Sequence, residues 1–139
     1  MKRGRKLYVQ SPKGDWRSFM INPDLASCIR SGDTVVEVGA CLGATALSLA
    51  HKANKVIAIE SDPVNLNFLR LNVKAYGFNN IIIVSKAVWS FKGRLRLYTA
   101  TTSTGHRLVL SISSYVDKPL TGKYVEVEVD TIDNILNTY

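Results

Sequence analysis

Val35-Val36-Glu37-Val38-Gly39-Ala40-Cys41-Leu42-Gly43 reads as a buried strand that bends into a glycine-rich turn. Thr34 to Val38 is rich in β-branched residues and shows almost no alternation, the pattern of a parallel strand covered on both faces. A backbone that turns sharply off a strand and lets a ligand approach needs positions without a Cβ, and Gly39 and Gly43 supply two. A second apolar run, Val56-Ile57-Ala58-Ile59-Glu60, ends in an acid. Strand, turn, helix, strand and terminal carboxylate together describe half of a nucleotide-type cofactor site.

Working outward, the residues after Gly43 predict a helix to about Lys52, with Ala46, Leu47, Ala50 and Ala53 toward the sheet. Ser61-Asp62-Pro63 opens a further helix with a cap candidate and a first-turn proline. That helix carries Leu66, Leu69, Val73 and Tyr76 on one face and stops at Gly77, which tolerates the left-handed conformation. Ile81 to Val84 is the third buried strand. The order β-α-β-α-β with short connections predicts right-handed crossovers and a parallel three-strand unit. Upstream, Leu7 to Gln10 predicts a short strand, Ser11-Pro12-Lys13-Gly14 a turn, and Pro23 to Arg30 a helix capped by Asn22 and ended by Ser31-Gly32-Asp33.

After residue 88 the pattern changes. Lys92-Gly93 signals a turn, and Arg94 to Tyr98 places Leu95 and Leu97 inward with Arg94 and Arg96 outward. Val125, Val127 and Val129 alternate in the same way with Glu126, Glu128 and Asp130, so both runs predict half-exposed antiparallel strands. Arg107 to Ile112 suggests another strand, Thr99 to Gly105 and Ser113 to Lys123 read as loops, and Thr131 caps a short helix through Leu136.

The chain has 139 residues and a formal charge of +7, the length of one domain with one core. The charge is concentrated in a basic arm over residues 1–22, where Lys2, Arg3, Arg5, Lys6, Lys13 and Arg17 face the single acid Asp15, leaving 23–139 as the globular domain. Such an arm reads first as a solvated segment and second as an attractor of phosphate backbones. No apolar run reaches the roughly 18 residues of a membrane helix, and the N-terminus lacks the apolar stretch of a signal peptide, so the expected location is cytoplasmic, away from membranes. Cys28 and Cys41 lack metal-site spacing and read as free thiols; His51 and His106 are far apart and read as solvated.

The turn itself discriminates between cofactors. A dinucleotide fold expects G-x-G-x-x-G, but from Gly39 the second glycine position is Cys41 and the last is Ala44. Glu37 has no use near a pyrophosphate, whereas a carboxylate there suits S-adenosylmethionine, which carries an ammonium and a sulfonium and no phosphate. Coulomb attraction at about 4 Å is worth roughly 1 kcal/mol in water and more in a partly dry cleft. Glu60, ending the second strand, is positioned to accept from two ribose hydroxyls in a fork, with a surface or capping acid as its other reading.

Gly32 to Gly43, Ala58-Ile59-Glu60-Ser61-Asp62-Pro63, Leu69-Arg70-Leu71-Asn72, Lys86-Ala87-Val88, Gly93 to Tyr98 and Val127 to Asp133 closely resemble the FkbM-type branch of class I S-adenosylmethionine-dependent methyltransferases, from about Pro23 to Leu136. The first two motifs are shared by many class I enzymes; the hairpin and the Thr131-Ile132-Asp133 segment are more particular to this branch. The resemblance implies an α/β Rossmann-like fold, a parallel βαβαβ unit plus an antiparallel hairpin, truncated relative to the seven-stranded sheet. It also implies a cofactor site at Glu37, Gly39, Ala40, Cys41, Gly43, Thr45, Glu60, Ser61, Lys86 and Ala87, in which Glu37 to Gly43 hold the methionine part, Glu60 the ribose, and Ser85 to Val88 flank the adenine.

The sequence departs from that family in three places. Cys41 stands where glycine or asparagine is frequent, and its small side chain is compatible with binding. Ser85-Lys86-Ala87 carries no acid for the exocyclic amine of adenine, so a backbone group is expected to serve. The family's fourth parallel strand follows the segment resembling Thr131 to Leu136, and here the chain stops at Tyr139. An uncovered first strand templates pairing, so cover is expected from the Tyr124–Val129 strand, the Leu7–Gln10 strand or a second chain.

Three functions fit these residues. The first is methyl transfer to an oxygen or nitrogen of a small molecule or sugar, with Asp62, Lys86 and His106 as weak candidates for a general base. The second is an S-adenosylmethionine-binding module that acts without catalysis or as part of a longer enzyme. The third is nucleic-acid binding or RNA methylation through the basic arm, with Tyr8 and Trp16 as stacking groups.

Overall fold

A computed structural model describes residues 27–100, 107–108 and 120–139. The basic arm, the expected Leu7–Gln10 strand and its turn, the start of the expected Pro23–Arg30 helix, His106 and most of the expected Arg107–Ile112 strand lie outside these residues. Ser27 and Cys28 are helical, and Asp33 then closes the following turn by accepting the Arg30 N–H at 2.8 Å.

The elements run β1 (Thr34–Val38), α1 (Ala44–Leu49), β2 (Lys55–Glu60), α2 (Pro63–Tyr76), β3 (Ile81–Ser85), β4 (Ala87–Val88), β5 (Gly93–Ala100), β6 (Arg107–Leu108), β7 (Leu120–Asp130) and α3 (Ile132–Leu136). β1, β2 and β3 form a parallel sheet in that order, with Val35 opposite Val56 and Ile57 opposite Ile82. This is the expected Rossmann-like α/β unit. A second sheet, ordered β4-β7-β5-β6, holds the antiparallel β5–β7 hairpin, and β4 joins it by pairing parallel to the end of β7.

Period-two alternation along β2 sends its side chains into two cores. Val56 and Ala58 pack with Ala46 and Leu49 of α1, with Ala50 just after it, and with Leu66 and Leu69 of α2. Ile57 and Ile59 face the other way and pack with Val84 and with Ile135 of α3. Covered on both sides, β2 is an unbroken apolar run, and Val56 to Ile59 are at most 2% exposed.

The helix boundaries follow local chemistry. Asp62 caps α2 by accepting the Val64 and Asn65 N–H groups at 2.8 Å, Pro63 occupies the first turn, and Gly77 ends the helix at φ 71°. Thr131 caps α3 by accepting the Asn134 N–H at 3.2 Å. α1 ends at Leu49, earlier than the expected Lys52, because the Leu49 carbonyl accepts both the Lys52 and Ala53 N–H groups and tightens the last turn. Its predicted face is nonetheless buried.

Three other expectations are corrected. Leu120 to Lys123, read as loop, is the start of β7, since pairing with β5 runs as far as Ala100 opposite Leu120 beyond an irregularity at Tyr98/Ala100. Asp130, read as an outward residue of β7, is 3% exposed and faces Lys86. The Tyr124–Val129 strand does not cover β1, because β7 is committed to β4 and β5. Among the described residues β1 has β2 as its one strand neighbour, and Val38 at its end is 59% exposed.

Candidate functional site

The C-terminal ends of β1 and β2 lie side by side, with Val38 opposite Ile59, and the glycine loop is pinned where they meet. The Ile59 carbonyl accepts the Gly39 and Ala40 N–H groups, both at 2.9 Å. Gly39 (φ 81°) and Gly43 (φ 87°) lie in the left-handed region, as the turn requires. A Cβ on Gly43 would also run into the Leu69 side chain, so this glycine is needed for close loop-to-α2 packing. Cys41 adopts φ 51°, a conformation that costs a non-glycine residue roughly 1–2 kcal/mol.

That strained turn is held from two sides. Glu60 Oε2 accepts the Cys41 N–H at 2.7 Å, while its Oε1 accepts the N–H groups of Ser61 and Asp62, each at 2.7 Å. A carboxylate offers about four acceptor positions, so these three bonds leave one, on Oε2. Asn72, wholly buried in α2, donates to the Leu42 carbonyl at 2.8 Å. Glu60 is therefore a clamp on the loop as well as the acid at its rim. Both anchors are absent from a reading by motif, because they join residues 19 and 30 positions apart.

Glu37 lies on the α1 face of β1, opposite Ala58. Its carboxylate accepts from the Thr45 hydroxyl and the Ala46 N–H, and Oε2 is buried with no hydrogen-bond partner. Burial pushes the carboxyl up from 4.5 to about 7, opposed by those two bonds and reinforced by the nearby charge of Glu60. An acceptor oxygen left bare in a partly dry site is costly, and a cation brought to it would remove that cost. The predicted residues Glu37, Gly39, Ala40, Cys41, Gly43, Thr45, Glu60 and Ser61 are thus brought together around one loop.

Lys86 and Ala87 sit apart from the loop, after β3. Lys86 Nζ bonds Asp130 Oδ2 at 2.8 Å, and Asn134 Nδ2 bonds Asp130 Oδ1 at 2.9 Å. These contacts hold the Asp130 carboxyl down at about 2 and raise the Lys86 ammonium above its ordinary value. Lys86 therefore ties the first sheet to the end of β7. Of the weak base candidates, Asp62 is committed as the α2 cap and Lys86 to this ion pair, and His106 lies outside the described residues.

A groove of about 340 Å³ opens beside Ser61, between the ends of β2 and β3 and the hairpin. Ser61, Pro63 and Leu66 line it from α2 and the loop before it, and Ser85 lines it from β3. Arg94, Glu126, Val127 and Glu128 form its hairpin wall. Arg94 Nε lies 3.8 Å from Glu126 Oε2.

A parallel βαβαβ unit with a glycine loop between β1 and α1 and an acid ending β2 is a Rossmann-like arrangement, and the known proteins to which the chain is similar include methyltransferases. Over 70 residues the chain is 36% identical to ribosomal RNA small subunit methyltransferase A of Mycolicibacterium vanbaalenii, covering 48% of this chain and 22% of that protein. An uncharacterized protein of Methanocaldococcus jannaschii is 40% identical over 62 residues, 43% of this chain and 24% of its own length. The crystal structure of methyltransferase FkbM from Methylobacillus flagellatus KT aligns with a TM-score of 0.51 at 18% identity, covering 87% of this chain and 26% of that chain; at that identity the likeness concerns the fold. No family model matches the chain. The chain spans about a quarter of the length of these proteins. No helix among the described residues is long and apolar enough to cross a membrane.

Proposed function

We propose that this chain binds S-adenosylmethionine at the glycine loop and forms the donor-holding part of a methyltransferase. The observation that carries the reading is the bare, buried Oε2 of Glu37, whose carboxylate is bonded by Thr45 and Ala46 in the first turn of α1. Its charge is disfavoured by burial and would be favoured by a cationic ligand, which fits the ammonium and sulfonium of the methyl donor and not a pyrophosphate. Gly39, Ala40, Cys41, Gly43 and Thr45 would present the loop backbone and the first turn of α1 to the methionine part. Glu60 would accept one ribose hydroxyl at its remaining Oε2 position in place of a two-hydroxyl fork, with Ser61 beside it and Lys86 and Ala87 at the adenine end. When bound, S-adenosylmethionine supplies an electrophilic methyl group on its sulfur. The chain's own part is to orient that group and neutralise the charge behind it.

Calorimetry with S-adenosylhomocysteine tests the claim. The wild-type chain is expected to bind, and Glu37→Gln to bind roughly ten- to a hundredfold more weakly, the cost of losing a hydrogen bond to a charged group, with an unchanged circular dichroism spectrum. Absence of wild-type binding refutes the proposal.

The FkbM-like branch is favoured by the hairpin that follows the βαβαβ unit, because the FkbM alignment extends over 87% of the chain. For the acceptor, the name of the Mycolicibacterium relative and the charge of +7 favour RNA over a sugar or another small molecule. Titration with RNA at two salt concentrations separates the readings, because binding through phosphate contacts weakens steeply as salt rises. A flat salt response counts against RNA.

A further inference from the structure

The groove beside Ser61 has the lining of a site for a flat, amine-bearing ring. Pro63, Leu66 and Val127 offer apolar surface, and Ser61 and Ser85 offer hydroxyls. The hairpin wall adds two carboxylates, and they are not equivalent. Glu126 lies 3.8 Å from Arg94. The Glu128 side chain makes no hydrogen bond or ion pair with any described residue: Arg94, opposite it in the β5–β7 ladder, pairs with Glu126, and Lys86, close enough for Glu128 to favour its charge, is held by Asp130 at 2.8 Å.

Strand register puts Glu128 at the right place along the groove. Ala87 pairs with Val129 in the parallel β4–β7 ladder, so Glu128, one residue earlier on β7, stands level with Lys86. Lys86 belongs to the Ser85-Lys86-Ala87 segment, which has no acid of its own. We infer that Glu128, supplied by the hairpin from 42 to 43 residues downstream of that segment's first two residues, accepts the exocyclic amine of the adenine ring and makes the groove selective for an adenosyl ligand.

This rests on the proposed binding of S-adenosylmethionine, and it replaces the backbone group expected at the adenine with a side chain from a different sheet. A carboxylate accepts from the amine of adenine and repels the carbonyl oxygen that hypoxanthine carries at the same position. An amide at residue 128 can donate as well as accept, so it would serve either ring.

The test compares S-adenosylhomocysteine with S-inosylhomocysteine by calorimetry on the full chain. Wild type is expected to prefer the adenosyl ligand by roughly tenfold, the low end for a hydrogen bond to a charged group at a site open to water. Glu128→Ala and Glu128→Gln are expected to bind both ligands within about twofold of one another, a loss of that preference. The glutamine variant keeps the size and packing of the native side chain, so it reads the chemistry even where alanine disturbs the hairpin. A preference in Glu128→Gln equal to that of wild type, or a wild type that binds both ligands equally, overturns the inference and leaves cofactor binding standing. A wild type that binds neither ligand overturns both.

Discussion

Glu37 shows how one side chain couples this site to pH. Its carboxyl is raised from 4.5 to about 7 in the folded chain, a difference worth about 3 kcal/mol between the two protonation states. The folded state therefore holds a proton that the unfolded chain releases between those values. Stability from this group is complete below pH 4.5 and is lost as pH rises through 7. Urea melts of the ligand-free chain from pH 4.5 to 8 are expected to show this decline, and Glu37→Gln to flatten it. A slope identical in the two proteins would show that Glu37 is not the titrating group. The acid at this position is plain in the sequence. Its burial beneath α1 is not, because it depends on Thr45 and Ala46 closing over it.

At the scale of elements, the glycine loop is a compromise between sharp bending and tight packing. Gly39 and Gly43 were readable as positions needing freedom of φ, but the second demand on Gly43 comes from Leu69 in α2, a helix away. Gly43→Ala meets both penalties, left-handed backbone and a collision with Leu69. It is expected to cost roughly 2–5 kcal/mol, measured by thermal or urea unfolding. A loss below about 1 kcal/mol would mean that the loop relaxes freely. The caps, by contrast, were legible: Asp62 and Thr131 stand where side-chain acceptors meet the free N–H groups of a first turn, and that chemistry is local. The end of α1 was less so, since Leu49 accepts two N–H groups in a turn that periodicity does not register.

Over the whole molecule, among the described residues, the second sheet is tied to the first by the Lys86–Asp130 ion pair and by Val88, Ile132 and Ile135, which pack on Ile57, Ile59 and Val84. The Trp89 N–H reaches the Asp130 carbonyl at 2.8 Å while Lys86 holds the Asp130 side chain, so β4, β7 and α3 meet at a single residue. The first sheet still has β1 at its edge among the described residues, with Val38 59% exposed. Such an edge pairs readily with another strand. Sedimentation of the chain is expected to show concentration-dependent self-association, reduced by Val38→Lys, which places a charge on that edge. A monomer at every concentration, with no effect of the substitution, would sink this expectation.

The amino-acid sequence by itself determined the parallel βαβαβ order, the glycine loop, the helix caps and the alternating hairpin. Each is encoded in neighbouring residues: apolar runs covered on both faces, turn glycines, capping acids and a period of two. Only the tertiary structure decided that Glu60 clamps the loop at Cys41, that Asn72 anchors Leu42, that Lys86 belongs to Asp130, and that Glu128 faces the groove beside Ser61. The hydrogen bonds among these contacts join residues 19 to 44 positions apart. Their partners are chosen by strand register and helix packing, quantities to which no short stretch of sequence has access.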